Sequence, residues 1–276
     1  MSDTVSVSVP TPHGPRTVTL AYARVGSGEP LLLLHGIGHH RQAWDPVVDI
    51  LATERDVIAV DLPGCGESPA LPDGLAHDLA TMNTALGALC ETLELERPHV
   101  AGNSLGGLLA LELGRQKLVR SVTALAPAGF WSPVERRYAF GLLQAMRQGA
   151  RSMPLPMVER LSRTAAGRAV LTGTIYARPG RRSPEAVVAE TLALANAKGF
   201  TETLRAGAAV QFTDDIPGLP VTVAWGAQDR ILVRRQGIRA KHVIPRARLV
   251  RLPGCGHVPM NDDPALVARV VLDGSR

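Results

Sequence analysis

Residues 100–107 read Val100-Ala-Gly-Asn-Ser-Leu-Gly-Gly107, one serine with a glycine two positions away on either side. Glycine in ordered structure costs backbone entropy, so two around Ser104 need a reason. A sharp strand-to-helix turn supplies one. It lifts the serine hydroxyl clear of its neighbours, and side chains at Gly102 and Gly106 would collide. G-x-S-x-G alone is weak, since a glycine-rich turn with a solvated serine reads the same. The flanks add weight: His99–Gly102 reads as a strand and Leu105–Lys117 as a helix, the setting a nucleophile elbow needs.

Outward from this turn, strand and helix patterns alternate. Thr4–Val9 and Thr17–Val25 read as half-exposed strands joined by the turn Pro12-His13-Gly14-Pro15. Pro30-LLLL-His35, Asp56-VIAV-Asp61 and Val119–Ala126 are short apolar runs expected to be buried on both faces, as in a parallel sheet. Helices are expected over Arg41–Ala52 and His77–Leu93. After Phe130 the pattern turns helical: Ser132-Pro133-Val134-Glu135 is a capping box with proline at the first helical position, and Ser183-Pro184-Glu185 opens a second helix. Strand patterns return at 221–225 and 247–252, before a last helix over Pro264–Leu272. The expected fold class is α/β, a mostly parallel central sheet flanked by helices with an inserted helical cap. Residues 1–131 and 213–276 form the core, and residues 132–212 the cap.

Composition narrows the function classes. The chain has 276 residues and a net charge of +5, but only three of its 30 basic residues are lysines and no basic segment carries the aromatics that stack on bases. No nucleic-acid partner is expected. The N-terminal stretch MSDTVSVSV lacks a basic start and apolar run, and no aliphatic stretch could span a bilayer. Three scattered cysteines, Cys65, Cys90 and Cys255, fit neither a disulfide framework nor a zinc site, so the expected location is the cytoplasm, without membrane association.

A serine hydroxyl needs a base to act as a nucleophile. His257, in the glycine-rich stretch Gly254-Cys255-Gly256-His257, follows the last strand and can reach over the sheet towards Ser104. Asp229, just past the preceding strand, is placed to hold the histidine; Asp262 and Asp263 are the rival acids. The chain order Ser104, Asp229, His257 is the one expected along successive strand ends. Backbone N–H groups of Leu105 and Ile37, the latter in His35-Gly36-Ile37-Gly38, are the expected oxyanion donors. The catalytic set is therefore Ser104, Asp229 and His257.

The motifs LLLLHGIG, DLPGCGES, GNSLGG, WGAQDR and GCGHVPM, in this order, resemble those of the α/β-hydrolase superfamily. More narrowly they are similar to cap-bearing serine hydrolases: carboxylesterases, C–C bond hydrolases of ring-cleavage products, and cofactor-free haloperoxidase-like esterases. The resemblance covers roughly residues 17–131 and 213–274 and leaves the cap largely unmatched. It implies Ser104 as nucleophile, His257 as general base and acid, and Asp229 as its partner, acting on a small ester-like substrate. Dehalogenases and epoxide hydrolases of this group carry aspartate where Ser104 stands, which disfavours those reactions. Ala126-Pro127-Ala128 offers no carboxylate at the alternative acid position. Ring-cleavage hydrolases usually carry tryptophan where this chain has Val258, leaving C–C hydrolysis as the second reading. A third, of another class, is a non-catalytic ligand-binding protein on the same fold.

No metal and no cofactor are expected. His35, His39 and His40 lack a carboxylate at ligand spacing, and no G-x-G-x-x-G follows the first buried strand. His39, Asn103, Phe130, Trp131, Met146, Met153 and Val258 are candidate pocket residues, although Phe130, Trp131, the two methionines and Met157 would serve equally as core between cap and sheet. Asp61, Gly64 and Gly66 read as turn chemistry, and Cys255 as packing. Residues 133–205 hold twelve basic and five acidic side chains, net +7. Such a field would steer an anionic substrate or an acidic carrier protein, while the solvated faces of helices account for the same arginines.

Overall fold

The computed structural model describes residues 2–276. Eight strands form one sheet: β1 Asp3–Val9, β2 Arg16–Gly26, β3 Glu29–Leu34, β4 Arg55–Val60, β5 His99–Asn103, β6 Ser121–Leu125, β7 Val221–Gly226 and β8 Arg248–Leu252. Their spatial order is β1-β2-β4-β3-β5-β6-β7-β8. β2 pairs antiparallel with both β1 and β4, and every other pairing is parallel. The helices are α1 Asp45–Leu51, α2 Leu79–Thr92, α3 Leu105–Arg115, α4 Pro133–Ser152, α5 Leu155–Ser162, α6 Ala165–Thr172, α7 Pro184–Asn196, α8 Phe200–Gly207, α9 Arg235–Val243 and α10 Pro264–Gly274. The helix expected over Arg41–Ala52 is a turn of 3₁₀ helix, Arg41–Trp44, leading into α1, with Pro46 in its first turn.

Both faces of the sheet are covered, which is why its central strands are continuously apolar. Alternate residues point to opposite faces. Leu32, Leu34, Ile58 and Val60 pack with Leu86 of α2 and Leu109 of α3; Leu31, Leu33, Val57 and Ala59 pack with Leu51 of α1 and Val271 of α10. Between β6 and β7 the chain runs through α4–α8 with no strand. The capping box at Ser132 is formed in both directions, and the buried Glu135 side chain that completes it also takes ion pairs from Arg235 and Arg239 at α9. The start of the insertion is thereby tied to the core. Half of the basic residues counted in the insertion donate to carbonyl oxygens: Arg136, Arg147, Arg168, Arg178, Arg181 and Arg182.

The loop after β3 lies at a switch point, because the chain leaves β3 for β4 on one side and β5 pairs on the other. Ligands of open α/β sheets bind at such a crevice, outside the carboxyl ends of the strands. Two buried contacts fix this loop. Asp61, at the exit of β4, accepts from the Arg41 backbone N–H at 2.6 Å and pairs with the Arg41 guanidinium. His35 accepts from the Leu62 N–H through Nε2 at 2.9 Å, so its proton sits on Nδ1 and is donated to the Gly36 carbonyl at 2.7 Å.

Burial pushes the His35 pKa down to about 4, below the usual value near 6.5. As pH falls, the unfolded chain takes up this proton first, so the stability contributed by neutral His35 is present above about 6.5 and is lost between about 6.5 and 4. The melting temperature is expected to drop less over this interval in His35→Gln than in the wild type. Parallel melting curves would contradict the assignment.

Candidate active site

Ser104 joins β5 to α3 with φ 58° and ψ −114°, a backbone conformation that side chains rarely adopt. The turn is tight enough that a methyl on Gly102 would run into the Gly106 carbonyl, and one on Gly106 would come within 2.6 Å of the His35 carbonyl. The two glycines are thus required by close approach of backbone to backbone. The Ser104 N–H donates to the Leu125 carbonyl at 2.9 Å, and the Ser104 carbonyl accepts from Leu108 and Ala128, both at 3.1 Å. The serine backbone is held on three sides. Leu105 opens α3, so its N–H has no acceptor within the helix and lies at the positive end of the helix dipole.

His257 is buried, and its Nδ1 lies 2.8 Å from Asp229 Oδ2. The other oxygen, Asp229 Oδ1, accepts from the backbone N–H groups of Ile231 and Leu232 at 2.8 and 2.9 Å. Those two bonds aim the carboxylate at the histidine. The Gly226 position, at the end of β7, also matters: a methyl there would strike the Gly256 carbonyl, so glycine lets the His257 loop settle beside the Asp229 turn. The rival acids are engaged elsewhere. Asp262 accepts from the backbone N–H groups of Gly256, Ala177 and Arg178, and Asp263 caps α10 through Leu266 N–H at 3.1 Å.

Two cavities of about 50 Å³ each meet at Ser104. One holds the polar side chains of His257, Asn103, His39 and Glu190 of α7 on an otherwise apolar wall that includes Val258 and Met146 of α4. The other is apolar and holds Leu105, Leu108, Trp131, Phe140 and Leu204. Ile37 and Ser104 line both. Asn103 does more than line its cavity: its Nδ2 donates to the carbonyls of Leu125 (3.1 Å) and His257 (2.9 Å), bridging the elbow to the histidine loop.

Two sequence-predicted pocket residues lie elsewhere. Phe130 packs on Phe212, with ring centroids 5.7 Å apart, because its strand exit turns it into the core. Met153, beyond the end of α4, lines a neighbouring cavity with Val170 and Leu171 of α6, which shares Met146, Glu190 and Leu194 with the one beside Ser104 but does not reach Ser104. Met157 is exposed. Cys255 is fully buried with its thiol pushed up to about 12 by burial, which suits packing. Among the described residues no group of three His, Cys, Asp or Glu is arranged to hold a metal ion, and no helix is long and apolar enough to cross a membrane. Glu190, Tyr176 and Arg182 escaped the sequence reading. Glu190 is one acidic residue among many charges on helices, and nothing in its local sequence marks it as buried.

Because Asp229 is the carboxylate in contact with His257, Asp229→Asn is expected to leave the fold intact and lower kcat by roughly 10³-fold or more, the amide favouring the wrong histidine tautomer. Asp263→Asn is expected to keep the α10 cap, since the amide oxygen can still accept from the Leu266 N–H, and to leave kcat near wild type. Steady-state kinetics with a common ester decides, and the reverse pattern would sink the assignment.

The sequence matches the Alpha/beta hydrolase family over residues 31–270. It is 29% identical to an uncharacterised protein of Mycobacterium tuberculosis, the match covering 95% of this chain and 78% of that one. In structure it is similar to a thermophilic esterase from Thermogutta terrifontis, with a TM-score of 0.74, 23% identity and coverage of 98% and 97%. It is also similar to a meta-cleavage product hydrolase from Pseudomonas fluorescens, with a TM-score of 0.72, 20% identity and coverage of 93% of each chain. At these identities the two structures speak for the fold. The elbow, the sheet order and the sequence match agree: this chain belongs to the Alpha/beta hydrolase family.

Proposed function

We propose that the protein is a serine hydrolase cleaving a carboxylic ester or related acyl bond through an acyl-enzyme. One observation carries this reading: Ser104, on a strained turn, lines the same buried cavity as His257, whose Nδ1 is held by Asp229. With the Nδ1 proton donated to Asp229, the Nε2 lone pair is the one left to take the Ser104 proton. Ser104 Oγ attacks the carbonyl carbon as that proton moves to His257 Nε2. The oxyanion is stabilised by the backbone N–H groups of Leu105 and Ile37. As the intermediate collapses, His257 protonates the leaving alcohol. A water molecule, deprotonated by His257, then attacks the acyl-serine and releases the acid.

In this reading the helical insertion, residues 132–212, acts as the cap. Leu143, Met146 and Leu194 reach from its helices into the cavity beside Ser104 and exclude water from the reacting atoms. The apolar cavity receives the apolar end of the acyl chain. At about 50 Å³ it is far smaller than the roughly 300–1,000 Å³ of a drug-sized site, so short chains are favoured.

The test is a fluorophosphonate probe together with a series of p-nitrophenyl esters. Wild type is expected to label and Ser104→Ala to remain unlabelled, with turnover reduced roughly 10³-fold or more. Acetate and butyrate esters are expected to outpace decanoate in kcat/KM. Absence of labelling in a folded wild type would favour ligand capture without turnover. Turnover of a vinylogous 1,5-diketone in preference to every ester would favour C–C hydrolysis.

A further inference from the structure

The cavity that Ser104 shares with His257 holds two polar side chains that acyl transfer does not use. Glu190 of α7 is buried among Tyr176 and Arg182, both nearly inaccessible. Its Oε1 accepts from the Tyr176 hydroxyl at 2.9 Å and from Arg182 Nε at 2.6 Å. Its Oε2 is buried and finds no hydrogen-bond partner among the described residues. In the loop after β3, His39 Nδ1 accepts the His40 backbone N–H at 3.0 Å, which places the ring proton on Nε2. Burial and neighbouring positive groups hold the His39 pKa well below its usual value, so the ring is neutral. Its Nε2–H is likewise buried without a partner among the described residues. Both residues line the cavity that holds Ser104 and His257.

Buried polar atoms in native proteins are nearly always paired, so a lone acceptor and a lone donor on one cavity call for an occupant. We infer that Glu190 and His39 form a polar subsite for a neutral substrate group that donates to Glu190 Oε2 and accepts from His39 Nε2–H, namely a hydroxyl on the acyl portion. This rests on the serine hydrolase reading, whose substrate class it narrows. A substrate carboxylate would bring a second negative charge against Glu190, whose cationic partner, Arg182, is already engaged. An ammonium group would leave the His39 donor unmatched. A cavity of about 50 Å³ admits a group the size of a hydroxyl most readily.

The isosteric pair p-nitrophenyl 3-hydroxybutyrate and p-nitrophenyl 3-methylbutyrate tests this, with the monosuccinate ester as the anionic control. Each kcat/KM is normalised to the ester's rate of alkaline hydrolysis. Wild type is expected to prefer the hydroxylated ester about tenfold or more, and the succinate least. Glu190→Gln, which keeps the volume but presents an amide, and His39→Phe, which keeps a ring but loses the donor, are each expected to bring the preference close to one. Either variant suffices if the other fails to fold. The Kd ratio of the two esters for Ser104→Ala, from calorimetry, is expected to follow the same order. Hydrolysis of both esters without preference, unchanged in the variants, would overturn the subsite and leave the serine reading intact. If no ester is hydrolysed, the serine reading falls and the calorimetric ratio alone decides the subsite.

Discussion

The close backbone packing around Ser104 is the constraint on which the site depends. Gly102 and Gly106 meet with no room for a methyl group between them, and Gly106 lies against the carbonyls that end β3. β5, α3 and β3 can converge only because these positions lack side chains. That convergence forces Ser104 into positive φ, a conformation costing on the order of 1–3 kcal/mol for a non-glycine residue. The strain persists because the backbone hydrogen bonds of Ser104 to Leu125, Leu108 and Ala128 over-determine the turn. Its chemical consequence is a hydroxyl carried at the carboxyl end of the sheet, beside a helix N-terminus whose first N–H, that of Leu105, has no acceptor within the helix.

The same logic of buried, fully specified hydrogen bonds places the other proposed catalytic groups. Asp229 spends one oxygen on two backbone N–H groups and the other on His257. Asp262 gathers three backbone N–H groups, one from the histidine loop and two from the insertion, so that loop and insertion are fixed together. Asn103 closes the circuit by donating from the residue before Ser104 to the His257 carbonyl. The residues around Ser104 are therefore positioned largely by contacts to backbone, which fix their geometry.

How much of this was legible in the sequence follows from what kind of signal each residue carries. The central strands could be anticipated from Leu31–Leu34, Val57–Val60 and Val100–Gly102 because strands covered on both faces are uniformly apolar; their order in the sheet could not. Ser104, Asp229 and His257 stood out because each follows a strand and sits among glycines or turn residues. The mixed character of β2, antiparallel on both sides, was less visible, since alternation tells the exposed face and not the partner. Side chains on helices were harder still. Phe130 and Met153 read as pocket residues yet turn towards Phe212 and α6, because which face a helix or its flank buries depends on neighbours far away in sequence. Glu190 was hidden for the same reason: it is buried against Tyr176 and Arg182, eight and more residues away.

The central claim is that Ser104 becomes acylated. Rapid-quench mass spectrometry of the intact protein during turnover of p-nitrophenyl acetate, followed by peptide mapping, addresses it directly. The account predicts a transient gain of one acetyl group, located on the peptide carrying Ser104 and absent in Ser104→Ala. Acetyl transfer to another side chain, with Ser104→Ala still forming the adduct at the wild-type rate, would contradict it.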